Sequence, residues 1–100
     1  MDENIKYIRS MSSKEELLAQ IAEEAAELAQ AALKLRRAII KNNPTPVSKI
    51  EATARLIEEI ADVRLCIDAS GIIDNSEEDV NYIYKNKLER WATRLKDNSK

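Results

Sequence analysis

Residues 17–35 read LLAQIAEEAAELAQAALKL, a run of alanine, leucine and glutamate with no glycine or proline. These residue types have high intrinsic helix propensity, and the absence of helix breakers predicts one long helix. At about 100° of rotation per residue, five apolar side chains of this region fall on one stripe. They are Leu17, Ile21, Leu28, Leu35 and Ile39. The stretch therefore predicts an amphipathic helix that packs against another helix.

Two serines mark the starts of long helices. Each is followed three residues later by a glutamate, which is the capping box that satisfies free amide groups in the first helical turn. The pairs are Ser13 with Glu16 and Ser48 with Glu51. The sequence NNPTP at 42–46 should end the first long helix near its asparagines, at about Lys41. The second should end at about Ser70, where Gly71 follows.

The ends of the chain complete the predicted fold. A last helix begins at Asn75 or Ser76 and runs to about Lys96, and residues 1–12 form an N-terminal extension or a short helix. No strand-like alternation competes with these helices. We therefore predict a single all-α domain over residues 1–100, an antiparallel helical bundle with a four-helix arrangement completed by oligomerisation.

Composition excludes several classes of protein. The chain has no histidine, one cysteine and one glycine, which removes histidine-based triads, cysteine zinc sites and glycine-rich phosphate loops. A net charge of −2 argues against a nucleic-acid binder. No apolar run is long enough for a membrane span, and MDENIKYIRSM at 1–11 lacks a signal-peptide core. With the lone Cys66, these features predict a cytoplasmic protein without disulfides.

Two acidic clusters lie among the apolar residues, EEAAE at 23–27 and EEIAD at 58–62. Helical angles separate their members, because the first glutamate of each cluster points towards solvent and two later carboxylates lie at the edge of the core stripe. The solvent-facing pair is Glu23 and Glu58. The converging carboxylates are Glu24 with Glu27 and Glu59 with Asp62.

Four carboxylates in one place repel one another unless a cation lies between them. An oxygen-only donor set suits hard divalent cations, so Mg²⁺ is the expected cofactor and Mn²⁺ the alternative. The competing interpretation is that these side chains are ordinary solvated charge on alanine-rich helices.

The first long helix carries a second apolar stripe on another side. Its members are Ala22, Ala26, Ala29, Leu33 and Ile40. A helix that is apolar on two sides is buried on two sides, which predicts contact with another subunit in a dimer or tetramer. The alternative is that exposed alanines simply favour helix.

The sequences EEAAELAQAALKL (23–35) and EEIADVRLCID (58–68) resemble the paired motifs of the MazG-like, all-α nucleoside triphosphate pyrophosphohydrolases. Glu24-x-x-Glu27 and Glu59-x-x-Asp62 match the family's E-x-x-E and E-x-x-D motifs. Residues 71–91 are similar to the family's turn and its basic last helix. The stretch between the motifs is longer than is usual in the family, and it includes NNPTPVS.

The resemblance implies Mg²⁺-dependent cleavage of a (deoxy)nucleoside triphosphate between its α- and β-phosphates, as part of nucleotide-pool house-cleaning. The four motif carboxylates would be the catalytic metal ligands. Lys87 and Arg90 would neutralise phosphate charge, with Lys85 and Asn86 as further candidates for phosphate contact. Without the resemblance, these basic residues would be an ordinary solvated face. The competing hypothesis for the whole protein is a non-catalytic, oligomeric helical interaction module.

Overall fold

The computed structural model describes residues 2–40 and 48–99. This part of the chain is all-helical, as predicted, and contains four helices: α1 (Glu3–Met11), α2 (Lys14–Ile39), α3 (Lys49–Ser70) and α4 (Glu77–Asn98). None of these helices combines the length and the apolar character that a bilayer crossing requires. The predicted helix end at Lys41 and the NNPTP sequence lie outside the described residues.

The predicted caps of α2 and α3 are confirmed. The hydroxyl of Ser13 accepts a hydrogen bond from the backbone N–H of Glu16 at 3.1 Å, and that of Ser48 accepts one from Glu51 at 3.1 Å. These bonds satisfy amide groups that have no partner within the helix. Ser76 occupies the N-cap position of α4 but makes no side-chain capping bond.

Helix α3 ends at Gly71, whose φ of 71° is in the left-handed region. An added Cβ would lie 3.1 Å from the guanidinium carbon of Arg9, so this glycine also leaves room for an arginine from α1. The predicted stop is thus confirmed, and the reason includes a contact between distant parts of the chain.

Helices α2 and α3 form the main packed pair, and α1 packs on α3. The two long helices run in opposite directions. Glu24, early in α2, interacts with Asp62 and Cys66, late in α3. Lys34, late in α2, instead shares a cleft with Arg55, early in α3. The antiparallel pairing brings the two acidic clusters together.

Helix α4 does not pack extensively on α2 or α3 within the chain, so the predicted four-helix arrangement is not confirmed. It has no buried residue, and it has no extensive packing contact with another described helix. The core is correspondingly thin, and its buried apolar residues among those described are Leu17, Ala31, Ala52 and Ala69. The described part of the chain therefore contains four helices but does not form a closed four-helix bundle.

A clasp formed by Arg9 of α1 with Asp68, Ala69 and Asp74 holds the end of α3. The guanidinium group of Arg9 donates to the backbone carbonyl oxygens of Asp68 at 2.7 Å and Ala69 at 3.1 Å. It also makes a two-pronged ion pair with the carboxylate of Asp74, at 2.7 and 3.1 Å. One side chain thus satisfies carbonyl groups at a helix C-terminus and fixes the following turn.

Replacing Arg9 with alanine should lower the melting temperature by about 5 °C or more, because charge-assisted hydrogen bonds are lost at a partly buried site. Thermal unfolding followed by circular dichroism measures this. Lys6→Ala is the matched control, since Lys6 makes only an exposed pair with Glu3 at 3.3 Å and such pairs contribute little. Equal shifts for the two variants would contradict the clasp.

The same clasp has a pH signature. The hydrogen bond from Arg9 and its charge lower the pKa of Asp74. A lowered pKa in the folded state means that the stabilisation is complete above the ordinary pKa and is lost as pH falls through the folded-state value. The difference in melting temperature between the wild type and Asp74→Asn should therefore be constant near neutrality and shrink below about pH 4.

Candidate metal site and adjoining cleft

Three of the four predicted carboxylates meet between α2 and α3. One oxygen from each of Glu24, Glu27 and Glu59 lies within 4.8 Å of the other two. The i,i+3 spacing on α2 puts Glu24 and Glu27 on neighbouring turns of one face, and α3 supplies Glu59 opposite them. The predicted convergence of the two helices is therefore present for these three side chains.

Glu59 is buried, with 6% of its surface exposed, and Glu24 is half-buried. The Oε2 atom of each is shielded from solvent and has no hydrogen-bond partner. A buried carboxylate oxygen without a partner is costly, and few native groups are left in this state. A positively charged ligand between Glu24 and Glu59 would give both oxygens a partner.

The electrostatics of the cluster agree with its geometry. Burial raises the pKa of Glu59, and the nearby charges of Glu27 and Asp62 raise it further. Burial likewise raises the pKa of Glu24, with Glu27 and Asp62 again adding to the effect. Both shifts have the two causes expected for partly buried acidic groups that lie close together, loss of solvation and repulsion between like charges.

Asp62, the fourth predicted carboxylate, lies at the edge of the group. It is half-buried and close enough to Glu24 and Glu59 to raise the pKa of both. It is not among the three residues whose oxygens come within 4.8 Å of one another. The remaining members of the two motifs, Glu23 and Glu58, are exposed, as their helical angles predicted.

A cleft of about 490 Å³ opens beside the carboxylates. Glu27 and Glu59 line one part of it, and three basic residues line another: Lys34, Arg37 and Arg55. Arg55 is near enough for its charge to counter the raised pKa of Glu59. Negative and positive side chains therefore occupy adjoining parts of a single open cleft.

The sequence interpretation did not identify these three basic residues. Lys34 and Arg37 belong to KLRR at 34–37, a pattern typical of surface charge, and Arg55 lies outside the paired carboxylate motifs. Spacing contains the missing signal, because Arg55 precedes Glu59 by four residues and Lys34 follows Glu27 by seven. Both separations keep side chains on one face of a helix, so helical phase could have placed them beside the motif carboxylates.

The phosphate-contact residues predicted on the last helix do not line this cleft. Lys85, Asn86, Lys87 and Arg90 are exposed on α4, and none of them lines the cleft beside the carboxylates. The aromatic residues of α4 are also exposed. The roles of Lys85, Asn86, Lys87 and Arg90 in phosphate binding stay predictions.

The carboxylate group fits a hard divalent cation. Its donors are all oxygens, which Mg²⁺ and Mn²⁺ prefer, and two of those oxygens are shielded and unpaired. Cys66 is half-buried near Glu24 and Asp62, and burial followed by these two charges raises the pKa of its thiol. A thiol held in its neutral form is a poor metal ligand, so the carboxylates are the candidate donors of this group.

No protein-family model, curated protein or solved structure matches this chain.

Proposed function

We propose that this protein is a Mg²⁺-dependent nucleoside triphosphate pyrophosphohydrolase, which converts a nucleoside triphosphate to a monophosphate and pyrophosphate. The proposal is supported most directly by the shielded, unpaired carboxylate oxygen of Glu59 in a group of three converging glutamates. The resemblance of both acidic motifs to the MazG-like enzymes supplies the substrate class. Mn²⁺ is the alternative metal.

Glu24, Glu27 and Glu59 would hold the cation, and Asp62 would complete the donor set from the edge of the cluster. When bound, the cation would polarise the phosphate and neutralise its developing negative charge. A carboxylate of the cluster with an oxygen left free would accept a proton from the attacking water, since a raised pKa makes it a better base at neutral pH. The burial of Glu59 and the partial burial of Glu24 support this role.

The basic residues of the cleft would bind the phosphate chain. Lys34, Arg37 and Arg55 line the same space as Glu27 and Glu59. A triphosphate bound to a cation at the carboxylates would extend towards these positive groups, and arginine matches phosphate oxygens with paired N–H donors. The cleft volume of about 490 Å³ lies in the range of small-molecule sites. Lys87 and Arg90 remain the candidates from the resemblance.

The substrate would be a canonical or damaged (deoxy)nucleoside triphosphate, and the role nucleotide-pool control. The cleft is open on one side and lined by charged residues next to Gln30, Ala31 and Leu33. Such a lining engages phosphates more specifically than bases. We therefore expect activity on several nucleotides, with differences among the bases smaller than the dependence on the triphosphate.

A nucleotide panel tests the proposal. The protein is incubated with canonical and oxidised deoxynucleoside triphosphates and Mg²⁺, and the products are separated by ion exchange. Monophosphate and pyrophosphate are expected in equal amounts, and EDTA should stop the reaction because the carboxylates would lose their cation. Diphosphate with orthophosphate would overturn the assigned bond cleavage. No turnover of any nucleotide would overturn the enzyme assignment.

The alternative function is a non-catalytic helical interaction module. The observation in its favour is the number of large apolar side chains exposed on α2, α3 and α4. This alternative predicts that Mg²⁺ and nucleotide change neither thermal stability nor any product. A melting temperature that rises with Mg²⁺ and nucleotide together would contradict it.

A further inference from the structure

The basic residues of the cleft have no acidic partner. Lys34, Arg37 and Arg55 line the cleft together, and all three side chains are exposed. The ion pairs found among the described residues involve α1 instead, so within that part of the chain none of the three pairs with a carboxylate. Three positive charges in one cleft are therefore available to an anionic ligand.

The acidic part of the same cleft lacks a positive partner. Glu59 lines the cleft, has only 6% of its surface exposed, and has a shielded Oε2 atom without a hydrogen-bond partner. A ligand that combines a divalent cation with an extended anion would satisfy both parts of the cleft. A chain of phosphates complexed with Mg²⁺ is a ligand of this kind.

The cleft offers little to a nucleobase. Its uncharged lining residues are Gln30, Ala31 and Leu33. The four aromatic residues of the chain all lie on α1 and α4, in the part that the structure describes, and none of them lines the cleft. Because bases are commonly held by stacking on aromatic rings or in enclosed apolar pockets, the contacts of a nucleotide here would be made mainly by its phosphates.

We propose that the cleft recognises the triphosphate chain itself, so that inorganic triphosphate, which has no nucleoside, is also bound and hydrolysed. The binding part of this inference follows from the charges of the cleft. The hydrolytic part rests on the proposed function, because it uses the same carboxylates and the same cation.

The positions of the charges along the helices suit an extended ligand. Lys34 and Arg37 follow Glu27 by seven and ten residues, which is about 10 and 15 Å along α2. Arg55 lies one turn before Glu59 on the antiparallel α3. The positive groups thus continue in one direction from the carboxylates, and each added phosphate brings a chain closer to them. Affinity should therefore increase from orthophosphate to pyrophosphate to triphosphate.

The reaction would follow the same course as with a nucleotide. The oxygen of a water molecule forms a bond to a terminal phosphorus, the bond from that phosphorus to the bridging oxygen breaks, and the electron pair leaves with pyrophosphate. The proton of the water passes to a carboxylate of the cluster, while Lys34 and Arg55 neutralise charge on the departing pyrophosphate. When bound, the cation supplies charge neutralisation at the attacked phosphate. Inorganic triphosphate and water thus give orthophosphate and pyrophosphate, with no further reactant.

Binding is measured with ligands that resist hydrolysis. In imido analogues an N–H group replaces the bridging oxygens, and isothermal titration calorimetry in Mg²⁺ compares the analogue of inorganic triphosphate with that of a deoxynucleoside triphosphate. The two dissociation constants should agree within about ten-fold. Arg55→Ala and Lys34→Ala should each weaken binding of the inorganic analogue by about ten-fold or more. The matched control is Arg36→Ala, which removes an exposed arginine outside the cleft and should change the dissociation constant by less than about two-fold.

Turnover is measured separately, with inorganic triphosphate and Mg²⁺ in water enriched in heavy oxygen. Ion exchange and mass spectrometry should find orthophosphate and pyrophosphate in equal amounts, with the heavy oxygen in the orthophosphate because the terminal phosphorus is attacked. Glu59→Gln should lose this activity, and Glu58→Gln, which changes an exposed carboxylate, should retain it.

The results separate this inference from the proposed function. An inorganic analogue that binds more than about ten-fold more weakly than the nucleotide analogue would overturn the inference, because the nucleoside would then be a main determinant of affinity. Equal losses from Arg36→Ala and Arg55→Ala would overturn the assignment of the ligand to the cleft. Hydrolysis of nucleotides without hydrolysis of inorganic triphosphate would refute the inference alone and leave the proposed function intact. Binding of the inorganic analogue that depends on Arg55, with no turnover of any triphosphate, would uphold the cleft as a triphosphate site and refute hydrolysis of both substrates.

Discussion

Replacing Glu59 with glutamine should reduce nucleotide hydrolysis by on the order of 10³-fold, the scale for losing a principal group that stabilises developing charge. Glu59 is the most buried carboxylate of the site, and its shielded Oε2 atom has no partner. Glutamine retains the shape of the side chain but loses the negative charge, so cation binding should be lost while the helices remain. Steady-state hydrolysis with saturating Mg²⁺ measures the effect.

The same substitution should raise the thermal stability of the metal-free protein, although it lowers activity. Burial and the nearby charges of Glu27 and Asp62 raise the pKa of Glu59, so neutral glutamine should raise the melting temperature in EDTA. The increase in melting temperature that Mg²⁺ gives the wild type should disappear in the variant. Differential scanning calorimetry with and without Mg²⁺ separates these effects.

The neighbouring Glu58 provides the matched control. It has the same side chain on the same helix but is exposed. Glu58→Gln should therefore retain activity within a few-fold and retain the response of the melting temperature to Mg²⁺. If Glu58→Gln and Glu59→Gln behaved alike, the distinction between solvent-facing and converging carboxylates would be wrong.

Replacing Arg55 with alanine should lower kcat/KM by about 10²-fold, because a charged donor to the phosphates would be lost at the transition state. Arg55 lines the cleft with Glu59, and its positive charge offsets part of the increase in the pKa of Glu59. The melting temperature in EDTA should fall slightly, since the carboxylates lose a neighbouring positive charge. Initial rates over a range of substrate concentrations separate the loss in kcat from that in KM.

Two further variants serve as comparisons for Arg55→Ala. Arg36→Ala removes an exposed arginine that does not line the cleft, so kcat/KM should stay within a few-fold of the wild type. Lys87→Ala tests the role that the family resemblance gives to α4. A larger loss from Lys87→Ala than from Arg55→Ala would show that the last helix supplies the phosphate contacts and would contradict the assignment of the cleft.

Local sequence signals identified the helices because their causes are local. Ser13 and Ser48 cap α2 and α3 through bonds to amide groups three residues away, and Gly71 adopts the left-handed conformation that ends α3. Capping and positive φ involve only a few neighbouring residues, so sequence spacing is enough to recognise them. The role of Arg9 at the end of α3 had no such signal, because its partners are about sixty residues away in the chain.

The ranking of the carboxylates was also accessible from the sequence. Helical phase separated exposed Glu23 and Glu58 from Glu24 and Glu59, since phase within one helix depends only on residue number. The close approach of Glu24, Glu27 and Glu59 required α2 and α3 to pack in a particular register. Register depends on the fit of side chains across the pair, which residue spacing within either helix does not specify.

The sequence by itself determined that this protein is helical and that Glu24 and Glu59 are less exposed than Glu23 and Glu58, because propensity, capping and helical phase act within a few turns. Only the tertiary structure decided that three basic residues share a cleft with two of the carboxylates, namely Lys34, Arg37 and Arg55 with Glu27 and Glu59. It also decided that α4 does not pack extensively against α2 or α3. These features depend on how whole helices are positioned in space. The apolar pattern of α4 indicates a face that packs against another surface. The position of the helix determines which surfaces are available for that packing.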